Sequence, residues 1–183
     1  MPLSEKRKQL LNVAEQLFYD YGFHGVGLKQ IIKEANVATM TLYNHFSSKD
    51  RLVEESIKNR AERYWSYLNA SLEKLTESPF ISIVQQHGKF LRDVSPQGCM
   101  FLRAVEVYSG TDNNITQIAR DHKMKVLHFF EELAISNEIN DYKNFAYQFM
   151  LIIEGATSMT QVTNSTQATD HAITMTNMLL NQY

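Results

Sequence analysis

The chain has little of what breaks a helix: 3 prolines and 7 glycines in 183 residues. A strand protein of that length needs many more turns, so the scarcity predicts an all-α fold. There is one cysteine, Cys99, which can close no internal disulfide, and a reducing cytoplasm is the expected location. No run of about 18 apolar residues occurs, so no spanning helix and no membrane partner are expected. The opening MPLSEKRKQLL has charges but no apolar signal core followed by a small-residue cleavage site, which predicts no export signal. The net charge is only −2, but it is unevenly placed. Residues 1–63 carry ten Lys and Arg against eight Asp and Glu, and residues 64–183 carry eight against twelve. A slightly basic front end on an acidic body is compatible with nucleic-acid contact through one end.

What is present is helical periodicity. Leu10, Leu11, Ala14, Leu17, Phe18 and Tyr21 form one wide apolar face, with Ser4 as a candidate N-cap and Gly22 as a stop. Leu28, Ile31, Ile32 and Ala35 mark a helix of two to three turns, ended by Asn36, which tolerates the left-handed conformation. In VATMTLYNHFSSKD, Val37, Leu42 and Phe46 can face inward, and SSKD supplies a serine N-cap and a first-turn Asp50. The helix so started is expected to reach about Thr76, and Ser78-Pro79 to open the next. Punctuation at SPQG (95–98), SGTDNN (109–114), SNEIND (136–141) and TNSTQATD (163–170) gives roughly nine helices, without internal repeats.

Two short helices joined by a tight turn, about 28–34 and 38–44, have the spacing of a helix-turn-helix, whose second helix can enter a major groove. The same spacing also occurs inside ordinary bundles, so surface chemistry matters. With Val37, Leu42 and Phe46 inward, Thr39, Met40, Thr41, Tyr43 and Asn44 project outward or along the edge. Thr and Asn can hydrogen-bond base edges, and Thr or Met can pack on a thymine methyl. Tyr43, His45 and Lys49 suit phosphate oxygens. Lys29 and the cluster Lys6-Arg7-Lys8 would supply further cations at the edges.

The stretch LLNVAEQLFYDYGFHGVGLKQIIKEANVATMTLYNHFSSKDRL resembles the DNA-binding domain of the TetR family of bacterial transcriptional regulators. The resemblance covers residues 4 to about 60, and Thr41-Leu42-Tyr43-Asn44-His45-Phe46 followed by Lys49 carries most of it. It implies DNA contacts at Thr39, Thr41, Tyr43, Asn44, His45 and Lys49, beside the Lys29 and Met40 suggested by chemistry. Gly27, Asn36, Ala38, Thr39 and Met40 depart from residues common in the family, which bears on the operator sequence and not on the fold. The implied organisation is a helix-turn-helix domain over 1–48 and a ligand-binding and dimerisation domain over 49–183. GCMFLRAVEVYSG and ARDHK are similar to one subgroup and name no effector.

Later residues are read more loosely. Many rings on successive helices, with a few polar groups, could hold an apolar ligand, although any single ring is more often core. The candidate ligand-binding side chains are Tyr64, Trp65, Leu68, His87, Phe90, Phe101, Val105, Tyr108, His128, Phe129, Tyr147, Met150 and Glu154. Glu154, amid apolar neighbours, points either to a cavity or partner or to the surface edge. A short reading helix selects a site only as one of a symmetric pair, so a homodimer on a palindromic operator is expected. Its candidate interface residues are Phe145, Phe149, Ile152, Ile153 and Ala156 with Ile173, Met178 and Leu179. The resemblance implies a four-helix interface from the last two helices. No catalytic, cofactor or metal-binding signature is found, so no enzyme activity, cofactor or metal is expected. The reading is a homodimeric repressor released from its operator by a small, largely apolar ligand. The alternatives are a redox or electrophile sensor acting through Cys99, or a DNA-binding regulator without a small ligand.

Overall fold

The computed structural model describes residues 5–72, 78–111 and 113–183. Ser4 and the expected helix end near Thr76 lie outside the described residues. Among those described there are nine helices and no strand: α1 (Glu5–Tyr21), α2 (Leu28–Glu34), α3 (Thr39–His45), α4 (Lys49–Leu72), α5 (Pro79–Asp93), α6 (Met100–Tyr108), α7 (Ile115–Ser136), α8 (Tyr142–Thr163) and α9 (Gln167–Leu180). The fold is all-α. None of these helices is long and apolar enough to cross a membrane.

Helix ends fall where chain chemistry places them. Gly22 ends α1 with a φ of 78°, a conformation that costs a glycine nothing. Asn36, at φ 48°, ends α2 in the left-handed region that Asn tolerates. The Ser48 hydroxyl accepts a hydrogen bond from the Arg51 amide at 3.0 Å and so caps α4. Pro79 opens α5 in the first turn, where its missing N–H costs nothing, but the Ser78 hydroxyl makes no capping bond. Gly98, before α6, has a φ of 92°, in the left-handed region that favours glycine, and the end of the Gln161 side chain lies close to it.

The chain divides into two compact units, Met1–Arg63 with Met100–Arg120, and Tyr64–Cys99 with Asp121–Tyr183. The sequence reading instead separates residues 1–48 from 49–183. α4 and α7 each supply residues to both units, and α6 belongs wholly to the first. The first unit buries Leu10, Ala14, Phe18, Ile31, Leu42 and Phe46. Its one fully buried acid, Glu15, accepts from Arg60 Nη1 at 3.1 Å, Arg63 Nη1 at 2.8 Å and Asn59 Nδ2 at 2.5 Å. The guanidiniums of Arg60 and Arg103 lie 4.1 Å and 4.7 Å from the centre of the Tyr19 ring. The second unit packs α9 on α5 and α8 and holds a core of interlocked rings.

Candidate nucleic-acid interface and helical body

The α2–turn–α3 segment is built around three apolar side chains. Leu42 and Phe46 are buried and Val37 is half-buried. The turn is closed by backbone bonds from Ala35 N to Ile31 O at 2.8 Å and from Val37 N to Ile32 O at 3.3 Å. Behind α3, the Arg7 guanidinium sits 5.2 Å from the Phe46 ring centre and pairs with Glu55 at 2.7 Å, which fixes α3 from its inner side. With the inner face so committed, Thr39, Met40, Tyr43 and Asn44 are exposed; Met40 and Tyr43 show 67% and 51% of their surface. Thr41, His45 and Lys49 are half-exposed at the edges, and Lys29 is exposed on α2. Lys33, one turn beyond Lys29 and also exposed, adds a cation to the same face of α2. Sequence reasoning missed it, although its i,i+4 spacing was a signal. Burial lowers the Lys49 pKa, with Asp50 acting in the opposite direction.

In the second unit, α4, α5, α7 and α8 bring Tyr64, Leu68, His87 and Phe90 into one core. Tyr64 Oη lies 3.1 Å from His87 Nδ1, and His87 Nε2 lies 2.9 Å from Thr157 Oγ1. The Thr157 hydroxyl donates to Ile153 O at 3.0 Å. Burial raises the Tyr64 phenol pKa, with Glu154 and Cys99 adding to the shift. Burial pushes the His87 imidazole down to about 3, with Lys123 contributing. His122, edge-on to Tyr64 and Trp65, is also pushed down to about 3, by burial and then by Lys123 and Lys125. Half-exposed Glu154 pairs with Lys123 at 2.6 Å, so it has its partner at the surface edge. Burial alone would lower the Lys123 pKa, but half-buried Cys99 and Glu154 outweigh it and the pKa is raised. Among the described residues, no group of three or more His, Cys, Asp or Glu side chains is placed to hold a metal ion.

The two depressed histidines make the second unit sensitive to acid. Both are neutral when folded and protonate near 6.5 when unfolded. Their contribution is therefore present above pH 6.5 and is lost as pH falls from there toward 3. From pH 7.5 to 5.5 each should cost roughly 1–1.5 kcal/mol of folding stability. Urea titrations at the two pH values should show this loss, and His122→Phe should remove about half of it. An unchanged midpoint would contradict neutral burial of these rings.

Residues 10–56 match the family model for bacterial regulatory proteins of the tetR family. Over these residues the chain is similar to the N-terminal domain of TetR-family regulators. Over 78 residues it is 33% identical to the transcriptional activator FasR of Mycolicibacterium smegmatis, covering 43% of this chain and 36% of that protein. Over 57 residues it is 39% identical to the transcriptional regulator UidR of Escherichia coli, covering 31% and 29%. The chain thus spans about a third of the length of the curated relatives it matches. The whole-chain likeness is to solved structures. A TetR-family transcriptional regulator from Streptomyces coelicolor superposes with a TM-score of 0.89 at 23% identity, covering 98% of this chain and 96% of that one. The reduced form of E. coli NemR superposes with a TM-score of 0.82 at 18% identity, covering 96% and 97%. At such identities the likeness concerns the fold alone.

Several side chains of the chain stand elsewhere than the sequence reading puts them. Tyr147, expected in a ligand site, is 59% exposed on the outer side of α8. His128 is exposed on α7 between Glu131 and Glu132. Phe101, Val105 and Tyr108 belong to α6 in the first unit, where Tyr108 packs edge-on against Phe23 at 5.5 Å. Of the remaining expected ligand residues, Trp65, Phe129 and Met150 are half-buried beside the ring core. The expected interface residues Phe145, Phe149, Ile153, Ala156 and Leu179 are buried within their own chain. Phe149 meets Phe130 at 4.8 Å and Phe80 at 5.2 Å, which leaves it nothing to offer a second chain. Ile152 and Ile173 are half-buried, and Met178 is exposed. The apolar side chains that α8 and α9 leave at the surface are Leu151, Met159, Val162, Met175 and Met178. Hollows of about 400 Å³ and 350 Å³ lie along this face.

Proposed function

We propose that the chain is a homodimeric transcriptional repressor that binds a palindromic operator and leaves it when a small, largely apolar ligand binds the body. The observation that carries the DNA half is the outer surface of α3: Thr39, Met40, Tyr43 and Asn44 exposed over a buried Leu42 and Phe46. Neutral hydrogen-bonding groups and a thioether read base edges, while Tyr43, His45, Lys49 and Lys29 hold phosphates. Reading is assigned to residues 1–48, and ligand binding and dimerisation to the remainder. The apolar face of α8 and α9 supports the dimer, with a second copy of the chain as its occupant. Apolar side chains left exposed together on one face commonly mark a protein interface.

Release follows from linkage. A ligand acts only through its preference for the arrangement that cannot bind DNA, and a tenfold loss of operator affinity needs about 1.4 kcal/mol of preference. α4 is the natural lever, because one helix carries Lys49 at its start and Tyr64 to Leu68 further along. Two reading helices must stand roughly 34–36 Å apart on the duplex, so a small tilt of α4 spoils the fit.

The test is an operator selected from random sequence, followed by titration of variants. Tyr43→Phe and Lys49→Ala should weaken binding to every sequence alike. Asn44→Ala and Thr39→Ala should change preference at one base step, by about 1–3 kcal/mol. Unchanged affinity in the Tyr43 and Lys49 variants would overturn the assignment. FasR is an activator, so a reporter assay in cells reads the sign of control directly.

A further inference from the structure

Along α7, Asp121, Met124, Lys125, His128, Glu131 and Glu132 recur at spacings of three and four, and so share one side of the helix. With Trp65 of α4 and Phe129 they line a groove of about 630 Å³, within the roughly 300–1,000 Å³ of small-molecule sites. Its apolar wall is formed by Trp65 and Phe129, whose rings meet edge to face at 5.5 Å. Met124, 61% exposed, adds a thioether that can adapt to an aromatic guest.

The charge of the groove is one-sided, with three carboxylates facing the single ammonium of Lys125. No Lys or Arg among the described residues lies within ion-pairing distance of Glu131 or Glu132. The two instead share His128, whose Nδ1 is 3.3 Å from Glu131 and whose Nε2 is 3.3 Å from Glu132. Aromatic rings beside surplus negative charge attract a delocalised cation and disfavour an anion.

We propose that this groove binds an organic cation carrying aromatic rings, with its rings on Trp65 and Phe129 and its charge toward Glu131 and Glu132. The proposal rests on the effector half of the function given above and narrows that ligand to a class.

Trp65 is the only tryptophan, so its emission reports this groove. Tetraphenylphosphonium titrated into the full-length chain without DNA should quench that emission saturably, at one ion per chain. Tetraphenylborate has the same shape and the opposite charge, and should bind at least about tenfold more weakly. The double variant Glu131→Gln/Glu132→Gln should lose about five- to tenfold in phosphonium affinity, with its melting temperature unchanged. Met124→Arg, at an exposed position where folding is not at stake, should weaken phosphonium binding as well. Equal binding of the two ions, or wild-type phosphonium affinity in the double variant, would overturn the groove. Operator titration separates the two proposals. If phosphonium binds and operator affinity is unchanged, the groove stands and release by this ligand class fails. If an uncharged apolar compound releases the operator while phosphonium does not bind, the groove fails and the repressor reading stands.

Discussion

Arginine at Phe149 should leave no folded protein to assay, whereas arginine at Leu151, two residues along the same helix, should leave a folded monomer. Phe149 is fully buried among Phe80, Phe130 and Phe145. Truncating such a ring costs about 3–5 kcal/mol, and a guanidinium adds the cost of an unpaired charge in an apolar core. That exceeds much of the roughly 5–15 kcal/mol that holds a domain folded. Leu151 is 60% exposed, so an arginine there reaches water in a single chain and loses it only against a second copy. Circular dichroism should show a melting point near wild type for Leu151→Arg and no cooperative transition for Phe149→Arg. Sedimentation at micromolar concentration should find Leu151→Arg monomeric. Its operator affinity should fall by roughly 100-fold or more as two linked half-site contacts become one. A dimeric Leu151→Arg would show that the α8/α9 face is not the interface.

The second large effect lies in the first unit. Glu15→Leu leaves Arg60, itself 1% exposed, without the carboxylate that it meets at 3.1 Å. Removing one partner of a buried ion pair costs about 3–5 kcal/mol. The Arg63 contact contributes less, since that side chain is 43% exposed and water can replace its partner. Glu15→Leu/Arg60→Met, which removes both charges, should recover most of the loss. Urea denaturation followed by circular dichroism measures all three proteins. A cost below about 1 kcal/mol for Glu15→Leu would mean that solvent reaches Arg60 and that the pair is not buried in solution.

The legible parts of the sequence were those governed by neighbours along the chain. Gly22, Asn36, Ser48 and Pro79 mark helix ends by local chemistry, and the structure turns or caps at each. The outward set on α3 was legible because Leu42 and Phe46 leave a seven-residue helix one way to sit. The body was harder, because α8 is apolar on more than one side. Periodicity groups Phe145, Phe149 and Ile153 with Ile152, but it cannot say which stripe the chain's own core takes. The rings of Phe80 and Phe130 decide that, and they come from α5 and α7. Tyr147 stands at the surface for the same reason, since residue type suggests a lining role while helix phase turns it outside. The assignment of α6 to the first unit depends on contacts such as Phe23 with Tyr108, which no local signal announces.

The discontinuity of the first unit also bears on how the protein is made. Its second piece, Met100–Arg120, follows the whole of Tyr64–Cys99 in the chain. During synthesis at about 5–20 residues per second, the reading segment therefore emerges seconds before α6 arrives to complete its unit. Meanwhile Phe23, which will pack on Tyr108, still awaits that ring. A nascent chain stalled before residue 100 carries the reading helix without that support, and a fragment cut at residue 63 is in the same state for good. Transplanting the proposed DNA-reading module onto another protein therefore requires carrying α6 along or replacing the surface it covers.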